Sequence, residues 1–215
     1  MRLDDTVPAA SIDFDTPTVE FGEGARRELR ATLDRLDVTS PLVVTDAGVE
    51  DVGVLDEVLA SLDRDPPRHY ATTEPSTDDF DDLPEGAFDG VVAHGGDAAD
   101  YLGVDAVPGP IAPLVAVPTT SGTGSQATQT AVVSHDGVKR GVSDEALRPT
   151  AAVVDPELTV DLPRSVTARS GFDAFVHAVE SLTARDHRWV PDRPINYQGA
   201  NPITRPLSRR ALACV

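Results

Sequence analysis

Two short segments hold residue types whose spacing could do chemistry. In Asp173-Ala174-Phe175-Val176-His177 a carboxylate and an imidazole stand four residues apart, and on a helix that interval puts both on one face about one turn apart. Carboxylate oxygen and imidazole nitrogen are ligands for a divalent ion such as iron or zinc. The same spacing also serves a plain helix-surface acid and a hydrogen-bonded histidine. The second segment, Val117-Pro118-Thr119-Thr120-Ser121-Gly122-Thr123-Gly124-Ser125, leaves an apolar strand and sets five hydroxyls in the seven positions 119–125. Glycine allows close backbone approach and hydroxyls rotate to suit, so such a loop donates to phosphate oxygens. As an ordinary Ser/Thr/Gly turn it would bind nothing.

Two single residues join them. Asp46, directly after the apolar run Leu42-Val43-Val44-Thr45, is placed either to accept hydrogen bonds from a ribose or to cap the turn Thr45-Asp46-Ala47-Gly48. Lys139 is the one lysine among 18 basic residues. In a chain that otherwise uses arginine, it reads as a point charge toward a phosphate or hydroxyl, or as an exposed charge after the turn His135-Asp136-Gly137.

Elements able to position these residues are visible in the hydropathy pattern. Short apolar, β-branched runs at 42–45, 90–93, 114–117 and 151–154 read as buried strands. They alternate with amphipathic stretches at 24–36 and 52–62, the pattern of βαβ units in a parallel sheet. Residues 63–86 are rich in Asp, Thr and Pro and read as a solvated connection with at most one short helix. The texture changes at Pro163: residues 164–184 show helical spacing with apolar positions 172, 175, 176, 179 and 182. A proline-bearing stretch follows, then a further helical start at 207–215 that stops without a cap, which reads as a cut.

Composition narrows the function classes. The chain has 215 residues, 36 acidic against 18 basic, for a formal charge of -18. That field repels a polyanion and argues against nucleic acid as a partner. An acidic surface nearly free of lysine points to a salt-adapted, halophilic protein, or else to an ordinary acidic bacterial protein from a genome rich in G and C. The single cysteine, Cys214, supplies no internal disulfide framework. The N-terminus lacks the pattern of a secretory signal, and no stretch approaches a membrane span, so a cytoplasmic location is expected with no membrane partner.

These motifs together resemble the iron-containing alcohol dehydrogenase family. The resemblance lies in Pro118-Thr119-Thr120-Ser121-Gly122-Thr123-Gly124-Ser125, then Val154-Asp155-Pro156, then Gly171-Phe172-Asp173-Ala174-Phe175-Val176-His177-Ala178-Val179-Glu180. Phe21-Gly22-Glu23-Gly24-Ala25 and Val43-Val44-Thr45-Asp46 look like the family's first turn and first nucleotide-side strand. The family implies an α/β, Rossmann-like parallel-sheet nucleotide-binding domain at 1–160, followed by the start of an all-helical metal-binding domain at 161–215. It implies that Asp173 and His177 are two of four ligands for Fe2+ or Zn2+, with the other two histidines in later helices. His187 does not match a ligand position. Asp46, Gly95, Gly96, Thr119, Thr120, Thr123, Ser125 and Lys139 would touch NAD(P), with NAD favoured because an acid at Asp46 repels a ribose phosphate. The activity implied is a metal-dependent alcohol or hydroxyacid dehydrogenase passing hydride to the nicotinamide, the metal polarising the alcohol oxygen of a small substrate.

Residues 193–203 look like the insertion of the hydroxyacid-oxoacid transhydrogenase branch, which makes that activity the alternative. The chain also departs from the family. Where a triple-glycine-serine loop is expected, it reads His94-Gly95-Gly96-Asp97-Ala98-Ala99, and the proline-bearing 104–113 cannot form the expected long helix. An internal deletion explains both. Gln126 stands where the family carries glutamate. With two of four ligands and an end at Val215, a noncatalytic remnant or one half of a split enzyme is a further alternative. The partner expected is a second copy or a separately encoded helical half.

Overall fold

The computed structural model describes residues 12, 14–71, 76, 98–107, 111–189 and 199–214. The chain enters through strand β1 (Thr18–Phe21) and turns at Gly22 and Gly24. A 3-10 turn at Ala25–Glu28 then feeds helix α1 (Leu29–Arg35). Of the expected stripe at Ala25, Leu29, Leu33 and Leu36, the first three are buried and Leu36 is half-buried. Strand β2 (Val43–Thr45), helices α2 (Ala47–Asp51) and α3 (Val54–Leu59) and strand β3 (Arg68–Tyr70) follow. The helix expected at 52–62 is α3, while α2 was not anticipated; Gly53, at a left-handed φ of 79°, separates the two.

Strands β4 (Gly103–Val104), β5 (Val115–Ala116), β6 (Thr130–His135), β7 (Val138–Ser143) and β8 (Ala151–Val154) complete the sheets. Three of them form a parallel sheet in the order β1-β8-β5, with β8 in the middle. A strand covered on both faces must be continuously apolar, and Ala151, Ala152 and Val153 are at most 3% exposed. β2 and β3 pair in parallel. β4 runs parallel to β7, which pairs antiparallel with β6. One core joins Ala25, Leu29 and Leu33 to Val54 and Val58 on α3 and to Val153 and Leu158.

Other elements differ from expectation: the runs at 42–45 and 114–117, read as buried strands, leave Val44 and Leu114 exposed. β3 lies within the segment read as a solvated connection; Arg68-His69-Tyr70 has no apolar run, and its pairing with β2 makes the strand. The β6–β7 hairpin was expected only as a turn. Its tip, Asp136 and Gly137, has φ of 52° and 71°, the paired positive values of a two-residue hairpin turn whose twist suits the flanking strands. The strand expected at 90–93 lies outside the described residues. Described residues between Leu102 and Leu114 contain no helix.

Helix α4 (Arg164–Thr183) matches the expected helical segment, and helix α5 (Thr204–Leu212) packs against it. The residues α4 buries are small, Ser170 and Ala178, while Phe172 and Phe175 stack on each other and stay 66% and 41% exposed. α5 is capped by Asn201, whose Oδ1 accepts from the N–H groups of Ile203 and Thr204, each at 2.9 Å. No helix among the described residues is long and apolar enough to cross a membrane.

Candidate functional site

Parallel strands place their C-terminal ends on one edge, where α/β folds bind ligands. In the β1-β8-β5 sheet that edge carries the turn at Gly22 to Gly24, Asp155 after β8, and the hydroxyl loop after β5. Asp155 is 1% exposed. It accepts from the N–H groups of Gly24 at 3.1 Å, Arg26 at 3.2 Å and Glu157 at 3.0 Å, and from Arg26 Nη1 at 2.6 Å. Burial pushes the Asp155 carboxyl up, but the Arg26 guanidinium and the three backbone donors outweigh it and hold the group below its usual range. Arg26 also reaches Glu157 at 2.5 Å and Glu57 at 3.4 Å. This knot locks the first turn to the end of β8 and so shapes the edge. Its motif is plain in the sequence, but its role depends on a partner 129 residues away.

The hydroxyl loop meets α4 at Gly122. A Cβ built there would lie 2.2 Å from the Ser170 carbonyl oxygen and 3.1 Å from Ala174 Cβ, with φ at +134°. Only glycine permits this approach, and it sets the loop against the turn of α4 that carries Asp173. Thr119 and Thr120 are half-buried, and no side-chain hydrogen bond engages them among the described residues. Ser125 Oγ donates to Thr123 Oγ1 at 3.0 Å.

On α4, His177 Nε2 and Asp173 Oδ1 are 3.8 Å apart, their side chains 58% and 46% exposed. The expected shared face is present. His177 lines an open cleft of about 790 Å³ with Glu180, Thr130, Arg148, Asn201 and Phe14. Arg148 is tied into the cleft wall by Asp15 at 2.9 Å and by Gln129. The donor chemistry of Asp173 and His177 fits two positions around a divalent ion. Among the described residues no group of three or more His, Cys, Asp or Glu side chains gathers to complete one. His187 has a structural setting, with Nδ1 3.2 Å from the Ala200 carbonyl oxygen and 3.3 Å from Asp186 Oδ1.

The remaining expected contacts are dispersed. Asp46 is exposed after β2 and caps α2, its Oδ1 accepting from Val49 N–H at 3.1 Å. Lys139 lies at the turn end of the hairpin, opposite Ser134. That is about 13 Å along the strand from the cleft-lining foot at Thr130. Gly95 and Gly96 lie outside the described residues.

Parallel β1-β8-β5 and β2-β3 pairings with helices between them define a Rossmann-like α/β fold. The fold of 1,3-propanediol oxidoreductase superposes with a TM-score of 0.80 at 25% identity, over 94% of this chain and 60% of that one. The mitochondrial hydroxyacid-oxoacid transhydrogenase of Xenopus laevis is 32% identical over 92% of this chain and 51% of its own length. The NAD-dependent methanol dehydrogenase of Bacillus methanolicus is 32% identical over 94% of this chain and 57% of its own. The family model of iron-containing alcohol dehydrogenase matches residues 16–156. The chain belongs to the iron-containing alcohol dehydrogenase family, and it spans about half the length of the curated relatives it matches.

Proposed function

We propose that this chain forms the dinucleotide-binding part and the first metal-binding helix of a metal-dependent dehydrogenase that oxidises a small alcohol or hydroxy acid with NAD. The observation that carries this reading is the contact at Gly122, which holds the hydroxyl loop against the turn of α4 that bears Asp173. Loop hydroxyls from Thr119, Thr120, Thr123 and Ser125 would face the dinucleotide phosphates, and Asp46 would accept from the ribose. Lys139 and the glycines Gly95 and Gly96 complete the proposed nucleotide contacts. A divalent ion, when bound, supplies Lewis acidity toward the substrate oxygen. Asp173 and His177 would provide two of its ligands, and His177 lines the cleft. The division at about residue 160 separates these two roles, and an acidic, salt-adapted cytoplasmic enzyme fits the composition.

The test is metal uptake and turnover together. Purified chain is loaded with Fe2+ or Zn2+, dialysed, and assayed for bound metal and for NADH formation from short alcohols and 2-hydroxy acids. Bound metal that His177→Ala abolishes supports the reading. A chain that retains no metal and reduces neither nicotinamide overturns it.

The transhydrogenase reading is favoured by the match to the Xenopus laevis protein over 92% of this chain. It predicts transfer of deuterium from a labelled hydroxy acid to an oxo acid without accumulation of NADH.

A further inference from the structure

The ends of β2 and β3 hold a charged cluster that the proposed reaction does not use. Glu50 lies one turn beyond Asp46 on α2, its N–H 3.4 Å from the Asp46 carbonyl oxygen. Its Oε1 accepts from Arg68 Nη1 at 3.0 Å and from the Tyr70 hydroxyl at 2.8 Å. Arg68 Nη2 donates to Asp65 at 2.7 Å. Tyr70 ends β3 beside Thr45, the residue before Asp46. A guanidinium that reads phosphate with its planar fork is therefore engaged by two carboxylates, next to the acid assigned to the ribose.

We propose that Glu50 makes this edge select a free ribose 2′-hydroxyl over a 2′-phosphate, by keeping Arg68 neutralised and adding its own negative charge beside Asp46. The inference rests on the reading of Asp46 as the ribose-side acid. A 2′-phosphate arriving there meets Asp46 and Glu50, with Arg68 already engaged by Glu50 and Asp65. A 2′-hydroxyl needs none and donates to Asp46. Arg68 is thus a dormant phosphate reader, and Glu50 is the positioning residue that keeps it so.

The experiment is calorimetric titration of the 215-residue chain with NAD and with NADP. Glu50→Gln keeps an oxygen for Arg68 and Tyr70 but removes the charge. The expected result is NAD affinity within about twofold of wild type and NADP affinity stronger on the order of tenfold, the scale of one unit charge at short range. Adding Arg68→Gln to Glu50→Gln should erase that gain. An unchanged NAD-to-NADP ratio in Glu50→Gln, or equal weakening of both, overturns the inference and leaves the ribose reading standing. A gain that survives in the double variant overturns the role given to Arg68. Wild-type chain that binds neither dinucleotide overturns the ribose reading itself, and this inference with it.

Discussion

Asp155 and Asp173 are both acids beside a basic side chain, and the chain treats them in opposite ways. Asp155 is 1% exposed and takes four hydrogen bonds, three from backbone N–H groups and one from Arg26. Asp173 is half exposed and faces His177 at 3.8 Å, beyond hydrogen-bond reach. A buried carboxylate is tolerated only when donors within the fold compensate its lost hydration. The knot at Asp155 therefore reports on folding. The pair on α4 stays in solvent, open to the ion proposed for it. On the proposed function, stability and binding are divided between the two regions.

That division breaks first at Asp155. Asp155→Ala leaves three part-buried N–H groups without their acceptor and takes one of its carboxylate partners from Arg26, which keeps Glu157 and Glu57; it should cost about 3–5 kcal/mol in urea unfolding. A loss under about 1 kcal/mol would show that the turn at Gly24 holds without it. The pH dependence follows from the lowered carboxyl. Because its folded value lies below the ordinary carboxyl value of 3.8, Asp155 stabilises the fold above that pH, and the contribution fades as pH falls through the folded value. Asp155→Asn should flatten this acid limb in melts taken between about pH 5 and pH 2. Asp186, held well down chiefly by the Arg188 side chain, should add a separate acid-labile contribution near α5.

A smaller effect is expected at the seam between the regions. Gly122→Ala forces a Cβ against the Ser170 carbonyl at an unfavourable φ. It should destabilise by about 2–3 kcal/mol or push the loop away from α4; wild-type stability with an unmoved loop would dissolve the seam. Within the helical region, Asn201→Ala removes the α5 cap and should cost about 1 kcal/mol by the same urea measurement. The least change in stability belongs to His177→Ala, within about 0.5 kcal/mol, and it sharpens the comparison only if metal uptake falls while the melting curve stays.

Legibility followed the range of the interaction that decides each element. α4 was readable because helical spacing over 164–184 is local and uninterrupted, and the strand at 151–154 because a doubly covered strand is a continuous apolar run. The β6–β7 hairpin also had a local signal, Asp136-Gly137 between valine-bearing runs. β3 had none, since three residues rich in polar groups become a strand only beside β2. For the candidate site, the hydroxyl loop, Asp46 and the Asp173–His177 pair were named from residue types. Asp46 was open between ribose acceptor and cap, and the structure shows the cap.

The sequence by itself determined the family, the helical spacing that puts Asp173 and His177 on one face, and the run of hydroxyls after β5, because each rests on neighbours within a few residues. Only the tertiary structure decided that Gly122 brings that loop onto α4, that Asp155 closes on a turn 129 residues earlier, and that Glu50 engages Arg68 beside Asp46. Close packing and ion pairing depend on distances across the fold, and residue order does not encode those distances locally.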